Sequence, residues 1–168
     1  SNFDSDHVIQ KIETSEEFEQ NKGMMQKFID YHSKTLKRGN YNEKTIDKMK
    51  DLVLDSNKNS WIYICKYKAG DSEKVAGFVQ IDQFIYDKNN ETMDLDKVWM
   101  EPKFRHVVGL SEYFVKTCIK KCMQETKQGN VTFNKVHAIV VHGNEAALRF
   151  FMLKIGLQHS LYQEIIQC

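Results

Sequence analysis

Val98-Trp99-Met100-Glu101-Pro102-Lys103-Phe104-Arg105-His106-Val107-Val108-Gly109-Leu110-Ser111 is the stretch on which the fold turns. It closes a run from Thr92 to Met100 whose apolar positions Leu95, Val98 and Met100 read as a strand. The only proline of the chain, Pro102, stops that strand. A short loop bearing Arg105 follows. From Leu110 to about Gln128 the apolar side Tyr113, Phe114, Thr117, Cys118 and Met123 predicts a long amphipathic helix, closed by Gly129-Asn130. A strand that passes through a loop directly into a helix aims the helix's unpaired amides and the positive end of its dipole at the loop. Such a place suits an anion such as a pyrophosphate, and Arg105 adds a charge-assisted contact to it.

Working outward, Val75 to Tyr86 and Trp61 to Tyr67 are rich in aromatic and β-branched residues and read as two further strands, with Gly77 as a bulge position. The polar turns Ala69-Gly70-Asp71-Ser72 and Asp87-Lys88-Asn89-Asn90 join the three strands into an antiparallel meander. Before the meander come a short strand at Val8–Ile12, a helix opened by Ser15 with Glu16 and Glu17 and closed near Lys37-Arg38-Gly39-Asn40, and a helix over Glu43–Asp55. After the long helix, Val136 to Val141 is nearly continuous in apolar residues, as a strand buried on both faces would be. Asn144 caps a helix that runs to Ile155 and stops at Gly156, and Leu157 to Ile166 supplies one or two closing strands. The order β-α-α-β-β-β-α-β-α-β predicts an α/β (α+β) domain over residues 1–168: a mixed, mostly antiparallel central sheet flanked by helices.

Composition narrows the function. Hydrophobic residues are 41% of the chain, enough for a core, and the formal net charge is +1, which gives no global field to recruit nucleic acid. Lys116, Lys120, Lys121 and Lys127 line one helix surface, which solvation explains. No apolar run is long enough to span a bilayer, and Ser1-Asn2-Phe3-Asp4 lacks the basic and apolar regions of a signal peptide. Cys118 and Cys122, four apart, could share a face for zinc, but no second pair completes a site, so buried thiols in a reducing cytosol are expected and no metal.

A second segment, Asn144-Glu145-Ala146-Ala147-Leu148-Arg149-Phe150-Phe151 followed by Gly156-Leu157, sits one helix and one strand downstream of the first. The two together, in this order and on these elements, resemble the acyl-CoA motifs of GNAT N-acetyltransferases, and the flanking elements extend the resemblance over nearly the whole chain. The resemblance implies that two central parallel strands splay apart and that pantetheine lies in the gap. It implies pairing of the Trp99 and Met100 backbones with the pantetheine amides. Arg105, His106, Val107, Val108, Gly109, Leu110 and Ser111 would wrap the pyrophosphate, with Asn144 and Phe151 near the thioester. Acetyl-CoA would be the donor and an amine the acceptor, in a cytoplasmic enzyme for which a homodimer is one available assembly.

Two positions depart from the family pattern. In the usual Arg-x-x-Gly-x-Gly loop, counting from Arg105 puts Val108 and Leu110 where glycines stand. A shift of one residue gives His106-x-x-Gly109-x-Ser111, with histidine replacing arginine. Phe151 stands where the family often has a tyrosine that protonates the departing thiolate. For the base, Glu101, Asp96, Asp94 and His142 are the candidates, strict alternation placing Asp94 and Asp96 on one strand face and Glu101 on the other. Solvated strand-edge charges are the competing reading of the acids. A non-catalytic acyl-CoA-binding or protein-interaction domain on the same scaffold competes with the enzyme.

Overall fold

The computed structural model of the chain describes residues 2–37, 40–84, 91–125, 133–141 and 143–158. Among these residues, five strands form one sheet in the order β1 (His7–Lys11), β2 (Ser60–Ala69), β3 (Ser72–Gln83), β4 (Thr92–Met100) and β5 (Lys135–His137). The first four pair antiparallel, and β5 alone joins parallel to β4. The parallel register follows from α3 (Leu110–Met123), which carries the chain back between β4 and β5.

Helices cover both faces. On one, α1 (Ser15–Asp30) and α2 (Thr45–Leu54) bury Phe18, Met25, Phe28, Ile46 and Met49 over Ile62, Ile64 and Phe78. On the other, α3 buries Leu110, Phe114, Val115, Cys118 and Cys122 over Tyr63, Cys65, Val79 and Ile81. The short α4 (Glu145–Arg149) continues as a π-helical turn, Phe150–Ile155, and ends at Gly156 with φ +90°. This is the predicted fold class, with local adjustments. Thr14, not Ser15, caps α1: its hydroxyl accepts from the Glu17 amide while Glu17 reaches back to the Thr14 amide. The last turn of the α1 rod, Tyr31–Thr35, is π-helical. The closing strands expected within Leu157–Ile166 fall beyond Gln158 almost entirely, outside the described residues.

Two bulges shape the centre of the sheet. In β3, Cys65 pairs with Gly77 and Lys66 with Val75, so Ala76 is the extra residue and Gly77 its neighbour. Gly77 is needed for another reason: a Cβ there would lie 2.3 Å from the Trp99 carbonyl oxygen. In β4, Gln80 pairs with Lys97 and Ile81 with Leu95, which leaves Asp96 as the extra residue. That bulge overturns the strict alternation expected from the sequence. Beyond Asp96 the parity changes by one, and Glu101 reaches Lys27 of α1 at 3.1 Å, on the helix α1 face of the sheet together with Asp94.

Candidate active site

The strand expected at Val136–Val141 pairs with β4 only through His137. The register runs Thr92 with Lys135, Met93 with Val136 and Asp94 with His137, and there the ladder ends. The following described residues make no further pair with β4, which runs on to Met100, so the two chains diverge around a gap. A cleft of about 340 Å³ fills it. One wall is Leu95, Asp96, Val98, Trp99 and Met100 of β4; the facing wall is Ile139, Val140 and Val141. The cleft opens through the sheet. Phe28, Tyr31, His32 and Tyr41 line it on the α1 side, and Ser111, Ala147, Phe150 and Phe151 line it on the α3 side.

The free edge of β4 is selective. The Glu101 amide donates to Ala76 of β3 at 2.7 Å, and the Trp99 carbonyl also lies against β3. By the alternation of a strand, Val98 and Met100 direct their amides and carbonyls into the gap, and Trp99 does not. The expected backbone contact from Trp99 is therefore corrected: this residue offers the gap its ring. Arg105 is folded back onto the same place. Its Nε–H donates to the Met100 carbonyl at 2.9 Å, and its guanidinium lies 4.6 Å from the centre of the Trp99 ring. Arg105 thus closes the end of β4 and lines the cleft.

Pro102–Phe104 forms one turn of 3₁₀ helix, and the turn after it enters α3 through Gly109 at φ +82°. Of the two loop registers open from the sequence, the backbone takes the one with glycine at 109, where a left-handed residue is required. The amides of Val108, Gly109, Ser111 and Glu112 find no backbone acceptor among the described residues. Val108 is 94% exposed, whereas Leu110 is buried beneath the turn. His106 and Val107 are exposed on the outside of the same turn. Asn144 caps α4 with its side-chain oxygen 3.2 Å from the Ala147 amide, and it lines the cleft opposite β4. Phe151 lines the cleft with an apolar ring and has no proton to give.

The candidate bases separate. Glu101 is held by Lys27 at 3.1 Å and does not line the cleft. Asp96 lines it, with an oxygen 2.6 Å from Lys97 Nζ. Asp94 lies 3.6 Å from His137 Nδ1 at the fork of the two strands, and its burial raises its pKa. His142 lies outside the described residues. Beside Asp96 on the α1 face sits a polar cluster. Lys97 donates to Gln80 at 3.0 Å, Gln80 donates to Asp82 at 3.2 Å, and Ser60 donates to Asp82 at 2.5 Å. Burial and the neighbouring Asp96 charge push Asp82 up to about 7. Sequence reading did not single out His32, Tyr31 or Tyr41 as site residues. His32 stands in a helical run and Tyr41 in a polar loop, and no spacing signal marks either of them.

No known family model matches the sequence, and neither does a curated protein sequence. Solved structures do match. Aminoglycoside N-acetyltransferase AAC(6')-Iy, in complex with CoA, superposes with a TM-score of 0.65 at 10% identity, over 92% of this chain and 89% of its own. An acetyltransferase of the GNAT family from Staphylococcus aureus gives 0.56 at 13% identity, over 86% and 81%. A protein described as a transcriptional regulator from Bacillus halodurans gives 0.61 at 16% identity, over 92% and 94%. The chain therefore has the GNAT acetyltransferase fold, as the two sequence segments implied.

Proposed function

We propose that this chain is an acetyl-CoA-dependent N-acetyltransferase that transfers the acetyl group directly to an amine. The splay of β4 from the segment after β5 carries the reading. It exposes the polar groups of Val98 and Met100 along a gap wide enough for an extended, amide-bearing chain such as pantetheine. At the end of this edge lie the unpaired amides of the Val108–Glu112 turn, suited to a pyrophosphate. The residues fit the donor with one adjustment: the Met100 carbonyl is already taken by Arg105, which leaves the Met100 amide as donor on that residue. Asn144 and Phe151 face this donor half of the cleft. The opposite mouth, between α1 and β4, is left for the amine. That the similar AAC(6')-Iy forms a complex with CoA supports the choice of donor.

Phe151 favours a second reading, a domain that binds acyl-CoA without turnover, because the cleft wall at that place holds no acid. A similar fold described as a transcriptional regulator shows that the scaffold carries other roles. Calorimetric titration with acetyl-CoA tests both. Saturable binding, weakened about tenfold by Arg105→Ala through loss of one charged contact, is the expected result. The absence of heat at millimolar acetyl-CoA would remove both readings. Binding without CoA release in the presence of amines would leave the second.

A further inference from the structure

On the α1 side of the cleft stands a histidine, away from the donor half. His32 lies in the π-helical turn that follows α1, and its ring lines the cleft with Tyr31, Tyr41, Asp96 and Trp99. The ring is stacked on Phe28 at 3.9 Å between centroids, and its Nδ1 lies 3.0 Å from the Phe28 carbonyl oxygen. A carbonyl oxygen can only accept, so Nδ1 carries the proton and Nε2 keeps its lone pair. The charged and titratable groups of the cleft around it are Lys97 and Asp96 on β4, Arg105 over the Trp99 ring, Tyr41 ahead of α2, and Tyr31 on its own turn. Burial, and secondarily the Lys97 charge, lower the pKa of His32 below the ordinary histidine value, so the ring is neutral at pH 7.

The acids are less suited to the task. Glu101 is outside the cleft and ion-paired, and the Asp96 carboxylate is neutralised by Lys97 at 2.6 Å. Among the described cleft-lining residues, His32 is the only neutral nitrogen base. We infer that His32 Nε2 takes the proton from the acceptor amine, an inference that rests on the acetyltransferase reading. The amine nitrogen attacks the thioester carbonyl carbon, forming the N–C bond. The C–S bond breaks with its electron pair on sulfur. The proton lost by nitrogen goes to Nε2 and then to water, and the thiolate takes a proton from solvent in place of the acid that Phe151 cannot be.

The test compares the parent with His32→Gln, whose amide can still donate to the Phe28 carbonyl but has no basic lone pair. CoA release from acetyl-CoA is followed between pH 5.5 and 8.5 (~3 units) with spermidine, phenethylamine and neamine as probes, alongside calorimetry with acetyl-CoA and the ring nitrogen NMR spectrum of the parent. Expected are a loss of about 100-fold in kcat/KM at neutral pH, disappearance of the acid limb of the pH profile, and unchanged acetyl-CoA affinity. The NMR spectrum should show a neutral ring with the proton on Nδ1. A variant within about threefold of the parent, or a slow variant that keeps the acid limb, overturns the inference while the acetyltransferase reading stands. A ring charged at pH 7 or protonated on Nε2 overturns it whichever amine is used. A parent that binds acetyl-CoA but releases no CoA with any probe overturns the acetyltransferase reading, and the inference falls with it.

Discussion

Two glycines show how differently the same residue serves this chain. Gly109 stands at φ +82° with the ring of Phe3 3.6 Å from where a Cβ would sit, at the entry to α3. Gly23 is in the interior of α1 with nothing within 4 Å. An L residue in the left-handed region costs about 1–2 kcal/mol, whereas alanine in an open helix interior gains about 0.5–1 kcal/mol over glycine. Gly109→Ala should therefore lower the urea midpoint and weaken acetyl-CoA binding. Gly23→Ala should raise the midpoint and leave binding unchanged. Equal shifts in the two variants would deny Gly109 its role in setting the turn.

At the scale of the element, the end of α1 that faces solvent is as informative as the end that faces the cleft. Thr14 and Glu17 satisfy each other's amides reciprocally, so Thr14→Ala should cost about 1 kcal/mol in denaturant unfolding and speed amide exchange in the first turn. An unchanged midpoint would mean that tertiary packing of Phe18 and Met25 holds the turn without the cap. Element types were largely legible in advance, because Pro102, Gly156 and the polar turns punctuate strong periodic runs. The limits of β4, Thr92–Met100, are those read from the sequence. What was not legible was what the apolar residues face. Ala138-Ile139-Val140-Val141 reads as a buried central strand, yet these residues make no pair with β4; they wall the cleft beside it and pack on α3 and α4. His32 was hidden for a related reason: it follows Phe28 by one helical step on the face that reads as core, and no spacing shows that this face borders a cleft. The bulge at Asp96 likewise defeats any period-two reading of Glu101.

For the molecule as a whole, the buried polar cluster on the α1 face sets a pH dependence. Asp82 is pushed up to about 7 from an ordinary value near 3.8, chiefly by burial. A carboxyl whose folded value is raised binds more protons folded than unfolded. Its contribution to stability is fully present below the unfolded value and is lost as the pH rises through about 7. Asp82→Asn keeps an acceptor for Ser60 and Gln80 and removes the titration. Its melting temperature should lie on the order of a few degrees above that of the parent at pH 8, with the difference closing toward pH 5. A constant difference across that range would mean that Asp82 is ionised throughout. Among the described residues, no helix is long and apolar enough to cross a membrane.

The extra residue in β4 also bears on how this gene can change. Loss of the Asp96 codon alone would restore simple pairing in β4 and leave Lys97 to Met100 opposite their present partners, so the Trp99 ring would keep to the α1 face and the Met100 side chain to the α3 face. Lineages that keep the cleft should therefore be free to lack a residue at position 96 while the spacing from Lys97 to Pro102 stays constant, a pattern of deletions that an alignment of relatives would count.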